Sequence, residues 1–398
     1  DATRAIFQKS PLVAEGNKLK VENLKKNIII RNIRGKTMTK KTGTTTRREF
    51  IKSAVSGASA LLLPSFLLEA ENHQKNKQQI LKIQKSAKID PDFEPPYLKL
   101  HQSGELKKRA KELWDMMEEC RLCPRECGAR RLKGDEGFCH ASEKLEISSF
   151  HPHYGEETPL VGTGGSGTIF FTNCNLRCVY CINWEINHKG IGQVESINTF
   201  ARMMIKLQKR GCHNINIVTP THYSSHILMA LDVAASKGLR VPLVYNTSGW
   251  ERLEVLKKLD GIVDIYLPDF KYADSKMADK YSSGADTYPE VTKKALLEMQ
   301  RQVGTAKAAK DGLMYRGLMI RHLVLPNRVG GSKQVLEWIA KHLAKDTFLN
   351  IMSQYTPVYK AFDYPKISRR ITRDEYKETL KWAKQAGLTN IHAQKIPI

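Results

Sequence analysis

The 398-residue sequence contains no run of five like charges, although Lys and Arg outnumber Asp and Glu by 64 to 41. A formal net charge of +23 would suit a nucleic-acid binder if the charge were gathered on one face and interleaved with aromatics. It is not. Residues 1–52 hold 14 Lys and Arg against 4 Asp and Glu, and the rest of the excess is spread through mixed patterns such as Glu251–Lys258 and Arg373–Lys384. Nucleic acid is therefore not expected as a partner. No comfortable membrane span appears either. The apolar stretch Ser53–Leu68 contains Pro64 and falls short of the ~20 residues a bilayer-spanning helix needs. Cysteines number eight, and seven of them fall in two tight groups. A disulfide scaffold would spread them through a smaller chain, so grouping favours metal sites. What the chain does have is 41% hydrophobic residues, enough for a sizeable core, and a length that admits about two to three domains.

Thr46-Arg47-Arg48-Glu49-Phe50-Ile51-Lys52 resembles a twin-arginine export motif, and Ser53–Leu68 follows it in signal-peptide order. A basic loop before a short amphipathic helix is the plainer reading. Met38 lies eight residues before Thr46, so residues 1–37 are expected to be an upstream leader and 38–72 a signal segment. This implies the export machinery as a partner and a periplasmic or membrane-associated location, with a cytoplasmic one if the motif is fortuitous. Residues 73–100, ending in a Pro-rich stretch at Pro91–Pro96, read as a linker. A Cys-rich accessory module over 101–165 and an α/β unit over 166–398 complete the expected organisation.

Cysteine spacing carries the chemistry. Cys174, Cys178 and Cys181 follow a C-x3-C-x2-C pattern. Three thiolates can hold three irons of a [4Fe–4S] cluster, and the fourth iron stays open, whereas a ferredoxin closes it with a fourth cysteine. The apolar run Gly167–Thr172 just before the loop reads as a buried strand. The cysteines thus leave the C-terminal end of a strand, where α/β barrels place active sites. The alternatives are a zinc knuckle or unrelated buried thiols. Cys120, Cys123, Cys127 and Cys139 form a second group, C-x2-C-x3-C-x11-C, with Pro124 and Gly128 permitting tight turns. Four thiolates suffice for zinc or a fully ligated Fe–S cluster, and in an exported protein disulfides are a third option. Cys212 stands alone and is expected in the core.

Beyond the cysteine loop, strand and helix patterns alternate. Strands are predicted at Gly167–Thr172, Asn214–Thr219, Val241–Thr247, Asp264–Phe270, Leu318–Leu325 and Phe348–Gln354. Helices are predicted at Thr199–Arg210, Ser224–Lys237, Glu251–Leu259, Val291–Val303, Lys333–Ala344 and Thr372–Ala386, with another at Leu106–Glu119. Such alternation implies parallel strands joined by right-handed crossovers. Six units fall short of the eight in a closed barrel. Polar residues at the strand ends are the candidate binding groups: Thr219, Thr221 and His222; Asn246 and Ser248; Asp269 and Lys271; His322 and, more weakly, Asn327; then Gln354 and Tyr355. A loop histidine, a turn and a buried Asp269–Lys271 ion pair are the plainer readings of three of these groups.

The cysteine loop, with Tyr180 just before its last cysteine, resembles the signature of the radical S-adenosylmethionine (SAM) superfamily. The runs Cys-Arg-Leu-Cys-Pro-Arg-Glu-Cys-Gly, Thr-Pro-Thr-His, Tyr-Asn-Thr-Ser-Gly, Leu-Pro-Asp-Phe-Lys-Tyr and Arg-His-Leu-Val-Leu-Pro-Asn narrow the resemblance, over about residues 100–395, to a group related to pyruvate formate-lyase activating enzymes. The resemblance implies a partial (β/α)6 barrel with a small Cys-rich extension. It also implies a [4Fe–4S] cluster on Cys174, Cys178 and Cys181, SAM on the open iron, and a reducing electron donor. Reductive cleavage of SAM would then give a 5′-deoxyadenosyl radical that abstracts hydrogen from a protein or small-molecule substrate. Glycyl-radical activation is a narrower version. The Gly-Gly-Glu-Pro run many such enzymes carry after the second strand is replaced here by Thr219-Pro220-Thr221-His222. The contrasting reading is a non-catalytic Fe–S electron carrier or a zinc-stabilised binding protein.

Overall fold

The computed structural model describes residues 93–394. The expected leader, the twin-arginine segment and most of the linker lie outside the described residues. In chain order, α1 (Tyr97–Gln102) and α2 (Glu105–Asp115) lead into the first cysteine group. There follow β1 (Glu146–His153), the short α3 (Thr158–Val161) and β2 (Ser166–Phe171). Beyond the second cysteine group come α4 (Trp184–Lys189), β3 (Gln193–Val194), α5 (Ile197–Lys209), β4 (Ile215–Val218), α6 (Ser224–Ser236), β5 (Leu243–Thr247) and α7 (Leu253–Lys258). The remainder is β6 (Ile265–Pro268), α8 (Ser275–Tyr281), α9 (Tyr288–Val303), β7 (Lys307–Ala308), β8 (Met314–Leu323), α10 (Ser332–His342), β9 (Phe348–Met352), α11 (Arg373–Gln385) and β10 (Ile391–Ala393).

The strands form one sheet in the order β10-β9-β8-β6-β5-β4-β2-β1-β3, with β7 paired to β8. All strands from β2 to β10 along this order run parallel. All six predicted strands are among them, each followed by a helix where one was predicted. The sheet is open. β10 extends it at one edge, and β1 and β3 add antiparallel strands at the other. β1 lies inside the segment assigned to the Cys-rich module, yet it pairs with β2 across the expected boundary. Among the described residues no helix is long and apolar enough to cross a membrane.

Residue types explain the two faces. One face buries Ile169, Phe171, Ile215, Ile217, Tyr245, Tyr266, Ile320 and Ile351 against the helices. Neighbouring parallel strands pair in register, so Phe170, Val218, Asn246 and Leu267 form a row on the other face. There Val244, Ile265, Leu267, Met319 and Phe348 pack on Leu160 of α3. Helix ends follow the sequence. Thr372 and Glu375 form a reciprocal cap at α11, and Ser196 caps α5 by accepting from the Thr199 N–H.

Asp264, buried just before β6, accepts from the Leu243 N–H at 2.9 Å, and its second oxygen has no partner. Burial pushes its carboxyl up to about 8. Unfolded, it would lose its proton near pH 4. The folded state therefore binds one more proton between these values, and stability falls as pH rises through that window by ~1.4 kcal/mol per pH unit. Asp264→Asn keeps an acceptor for Leu243 and should flatten the slope by about that amount. Urea unfolding at pH 5 and 7 checks this, and an unchanged slope refutes it.

Candidate active site

The cysteine loop leaves the C-terminal end of β2. Two of its non-glycine residues, Asn173 and Arg177, take left-handed backbone angles (φ 70° and 49°), which turn the chain back on itself. Each of the three sulfurs accepts one hydrogen bond. The Leu176 N–H donates to Cys174 Sγ at 3.4 Å, the Ser282 hydroxyl to Cys178 Sγ at 3.1 Å, and the Asn187 amide to Cys181 Sγ at 3.3 Å. Cys174 and Cys178 are buried and Cys181 partly so. As free thiols, burial pushes Cys178 up to about 11 and Cys181 to about 12, while the Lys271 ammonium pulls Cys178 the other way. Among the described residues no three Cys, His, Asp or Glu side chains are gathered closely enough to hold a single metal ion. Three thiols on one loop, each with its own donor, are the set that three irons of a cubane cluster require. Tyr180 is buried among the rings of Tyr272 and Tyr355, with its hydroxyl beside that of Tyr272.

The first cysteine group sits beside this loop. Cys120, Cys123 and Cys139 are buried, Cys127 is exposed, and all are free thiols. A Cβ placed on Gly137 would lie 3.4 Å from both Cys127 Sγ and Cys139 Sγ, so both sulfurs pack against this glycine. A hydrogen bond with Cys120 holds Cys127 down to about 5 and pushes Cys120 up. Two arginines from this segment reach neighbouring loops. Arg125 donates to the carbonyls of Asn175, Ser282 and Gly284 at 3.0–3.2 Å and lies 3.8 Å from the Phe138 ring centroid. Fully buried Arg131 donates to the His222 and Ser142 carbonyls.

Among the candidates after β4 and β5, Thr221 bonds Glu251, which lies just before α7 rather than in the helix its sequence pattern predicts. Glu251 is fully buried and accepts from the Thr221 hydroxyl at 2.6 Å and from the Thr247 hydroxyl. Burial pushes its carboxyl up to about 7 against those hydrogen bonds. Thr219, at φ 59°, is a β-branched residue in the left-handed region, and its N–H donates to the Asn246 carbonyl. Next to it, His222 plays a fixed structural part. Its Nε2–H donates to the Thr172 carbonyl at 2.8 Å, tying β4 to β2, and burial depresses it to about 3. Ser248 Oγ is buried and unpartnered. Gly249 lies at φ 82° with its α-carbon against Asp269, where a Cβ would meet the carbonyl at 2.2 Å. The Tyr288 hydroxyl accepts from the Lys271 N–H and lies 2.8–2.9 Å from the Ser248 and Asp269 carbonyls, so one residue pins two strand ends.

Asp269 and Lys271 do form a buried ion pair, at 2.6 Å. It is one limb of a network. Arg321 of β8 donates to Asp269 at 2.8 Å and to Asn246 Oδ1 at 2.6 Å, and lies 3.6 Å from Glu156. Burial opposes all these charges. The partners outweigh it, lowering Asp269 and raising Lys271 and Arg321. His322 faces away from this network. Its Nδ1–H donates to the Phe270 carbonyl at 2.7 Å and Nε2 accepts from Ser332 at 2.8 Å, so both nitrogens are used in packing. Asn327 is committed to Lys366 and Glu375, Tyr355 to the Ile367 carbonyl, and Gln354 to Met352. Arg321 was hidden beside His322, and only strand alternation hints that neighbours on β8 face opposite ways.

A family model described as the radical SAM superfamily matches residues 168–315. This stretch contains the cysteine loop and the ends of β2, β4, β5 and β6. The uncharacterized protein MJ0674 of Methanocaldococcus jannaschii is 30% identical over 287 residues, covering 70% of this chain and 78% of that protein. The chain belongs to the radical SAM superfamily. A second relative, MJ0808 of the same organism, is 24% identical over 273 residues, or 64% of this chain and 75% of that protein. Two solved structures are similar in part. Native anSMEcpe with bound AdoMet and Cp18Cys peptide gives a TM-score of 0.38 at 12% identity, over 55% of this chain and 60% of that one. A radical SAM methyltransferase from Sphaerobacter thermophilus gives 0.38 at 11% identity, over 56% and 66%. Membership of the radical SAM superfamily brings a [4Fe–4S] cluster and SAM as cofactors. Three thiols on one loop, each with a hydrogen-bond donor, and the unpartnered Ser248 hydroxyl just beyond β5 fit that pair of ligands.

Proposed function

We propose that Cys174, Cys178 and Cys181 hold the [4Fe–4S] cluster of a radical SAM enzyme, and that its substrate lies over the sheet face bearing Asn246, Arg321 and Asn350. The observation that carries this reading is the donor on each sulfur, supplied from three different places in the chain. Such donors stabilise thiolates and tune a cluster's potential. When bound, the cluster and SAM supply reductive sulfonium cleavage and a 5′-deoxyadenosyl radical for hydrogen abstraction.

The chain's own residues position these groups. Ser282 and Asn187 orient Cys178 and Cys181, Glu251 locks the loops after β4 and β5 through two threonines, and Tyr288 fixes the loops after β5 and β6. In this reading the open sheet is a (β/α)6 partial barrel, and the Cys120–Cys139 thiols form a second site. Glycyl-radical activation and twin-arginine export rest on sequence resemblance.

Anaerobically reconstituted protein, reduced with dithionite, is expected to convert SAM to 5′-deoxyadenosine and methionine in equal amounts. Complete absence of 5′-deoxyadenosine from iron-replete protein would sink this reading in favour of a non-catalytic Fe–S carrier.

A further inference from the structure

The segment between β1 and α3 places two adjacent carboxylates, Glu156 and Glu157, against the sheet face opposite the main helices. Glu157 accepts from the Asn350 amide at 2.9 Å. Glu156 lies 3.5 Å from Asn246 Nδ2 and 3.6 Å from Arg321. Asp269, Arg321 and Asn350 share this face because they pair in register across β6, β8 and β9. Two features single the place out. First, its charges do not balance. Glu156, Glu157 and Asp269 face Arg321 and Lys271, so with all five ionised three carboxylates meet two cations, and either a proton or a bound cation must make up the difference. Second, two acceptors are left without donors. Glu157 Oε2 and Asn350 Oδ1 have no partner, although their residues are only 6% and 3% exposed. Asn216, on the same face at 0% exposure, has neither amide atom partnered. Buried acceptors without donors are costly and rare in folded proteins.

We infer that this patch is a substrate subsite for a primary ammonium group, which supplies both the missing charge and the missing N–H donors. In the free protein a proton on Glu156 offsets the excess: burial holds its carboxyl up at about 7, with Arg321 pulling the other way and Glu157 adding to the rise. An ammonium ion entering between Glu157 and Asn350 displaces that proton to solvent and donates to Glu157 Oε2 and Asn350 Oδ1. A hydroxyl would satisfy the acceptors but not the charge. A quaternary ammonium would supply the charge but no donor. Both should bind poorly.

The inference rests on reading this face as the substrate side of a radical SAM enzyme, and its test reads binding rather than turnover. Reconstituted, SAM-loaded protein is titrated with n-butylammonium, butyltrimethylammonium and butan-1-ol, with binding followed by calorimetry and by ligand-induced rise in melting temperature. Butylammonium is expected to bind at least about tenfold more tightly than the other two, and Glu157→Gln, which keeps an acceptor for Asn350, is expected to lose about tenfold in that affinity. Glu156→Gln is the second variant, and it should lose a similar factor because it too removes the excess charge. Equal affinity for the alcohol or the quaternary ion overturns the inference. So does unchanged butylammonium affinity in both folded variants. Formation of 5′-deoxyadenosine by the parent protein is scored separately, so failure of the enzyme reading is told apart from failure of the subsite.

Discussion

Cys178→Ala is expected to lose reductive SAM cleavage by at least about 10³-fold, equivalent to ~4 kcal/mol of barrier. Three thiolates serve three irons, so two cannot hold the same cluster. Cys178 is buried, its sulfur is fixed by Ser282, and Lys271 and Cys174 are close enough to shift its proton affinity. Alanine fills most of the space, and a small buried substitution of this kind costs only about 1 kcal/mol of stability. The variant should therefore fold, bind less iron and lose the visible cluster absorbance together with 5′-deoxyadenosine formation. Ser282→Ala makes the contrast, since it keeps all three thiolates and removes only the hydroxyl that bonds the Cys178 sulfur and the Tyr272 hydroxyl. It should retain the cluster and show an altered reduction potential. Full iron content and turnover in Cys178→Ala would refute the assignment of this loop.

Arg321→Met is expected to be the most destabilising substitution on the sheet, by about 3–5 kcal/mol. The guanidinium is the common partner of Asp269, Glu156 and Asn246. Removing it leaves buried carboxylates uncompensated, and the loss is a large fraction of the 5–15 kcal/mol typical of a domain. Two measurements separate this from a packing effect. Acidification should recover part of the loss, because protonated carboxyls no longer need the guanidinium. Adding Asp269→Asn to Arg321→Met should cost less than the two changes summed, as expected for directly coupled residues. Strict additivity in urea unfolding would show that the network is not a unit.

The six parallel strands were legible because their residues are apolar on both faces: Ile215, Ile217, Val244, Ile265 and Leu267 are all buried. β1 was not legible. It is half-buried, contains Pro152 and His151, and is a strand chiefly because β2 presents a pairing edge. β10 is three residues long and depends on β9 in the same way. In the site, clustered cysteines announce themselves by spacing. A buried carboxylate such as Glu251 does not, because Glu next to a helical pattern reads as an ordinary helix residue. Only Thr221 and Thr247, 30 and 4 residues away, give it a purpose. Similarly, His222 and His322 looked like site residues by type, but burial and carbonyl partners make them neutral fasteners. Charge networks across strands depend on register, which a single sequence does not display.

Arg125 links the two cysteine groups mechanically. Its three carbonyl contacts brace the backbone of the cysteine loop at Asn175 and the 282–284 turn that carries the Cys178 donor. The first cysteine segment is thus a keystone for the second: the footing of the Cys174–Cys181 loop depends on a side chain that lies some fifty residues before it.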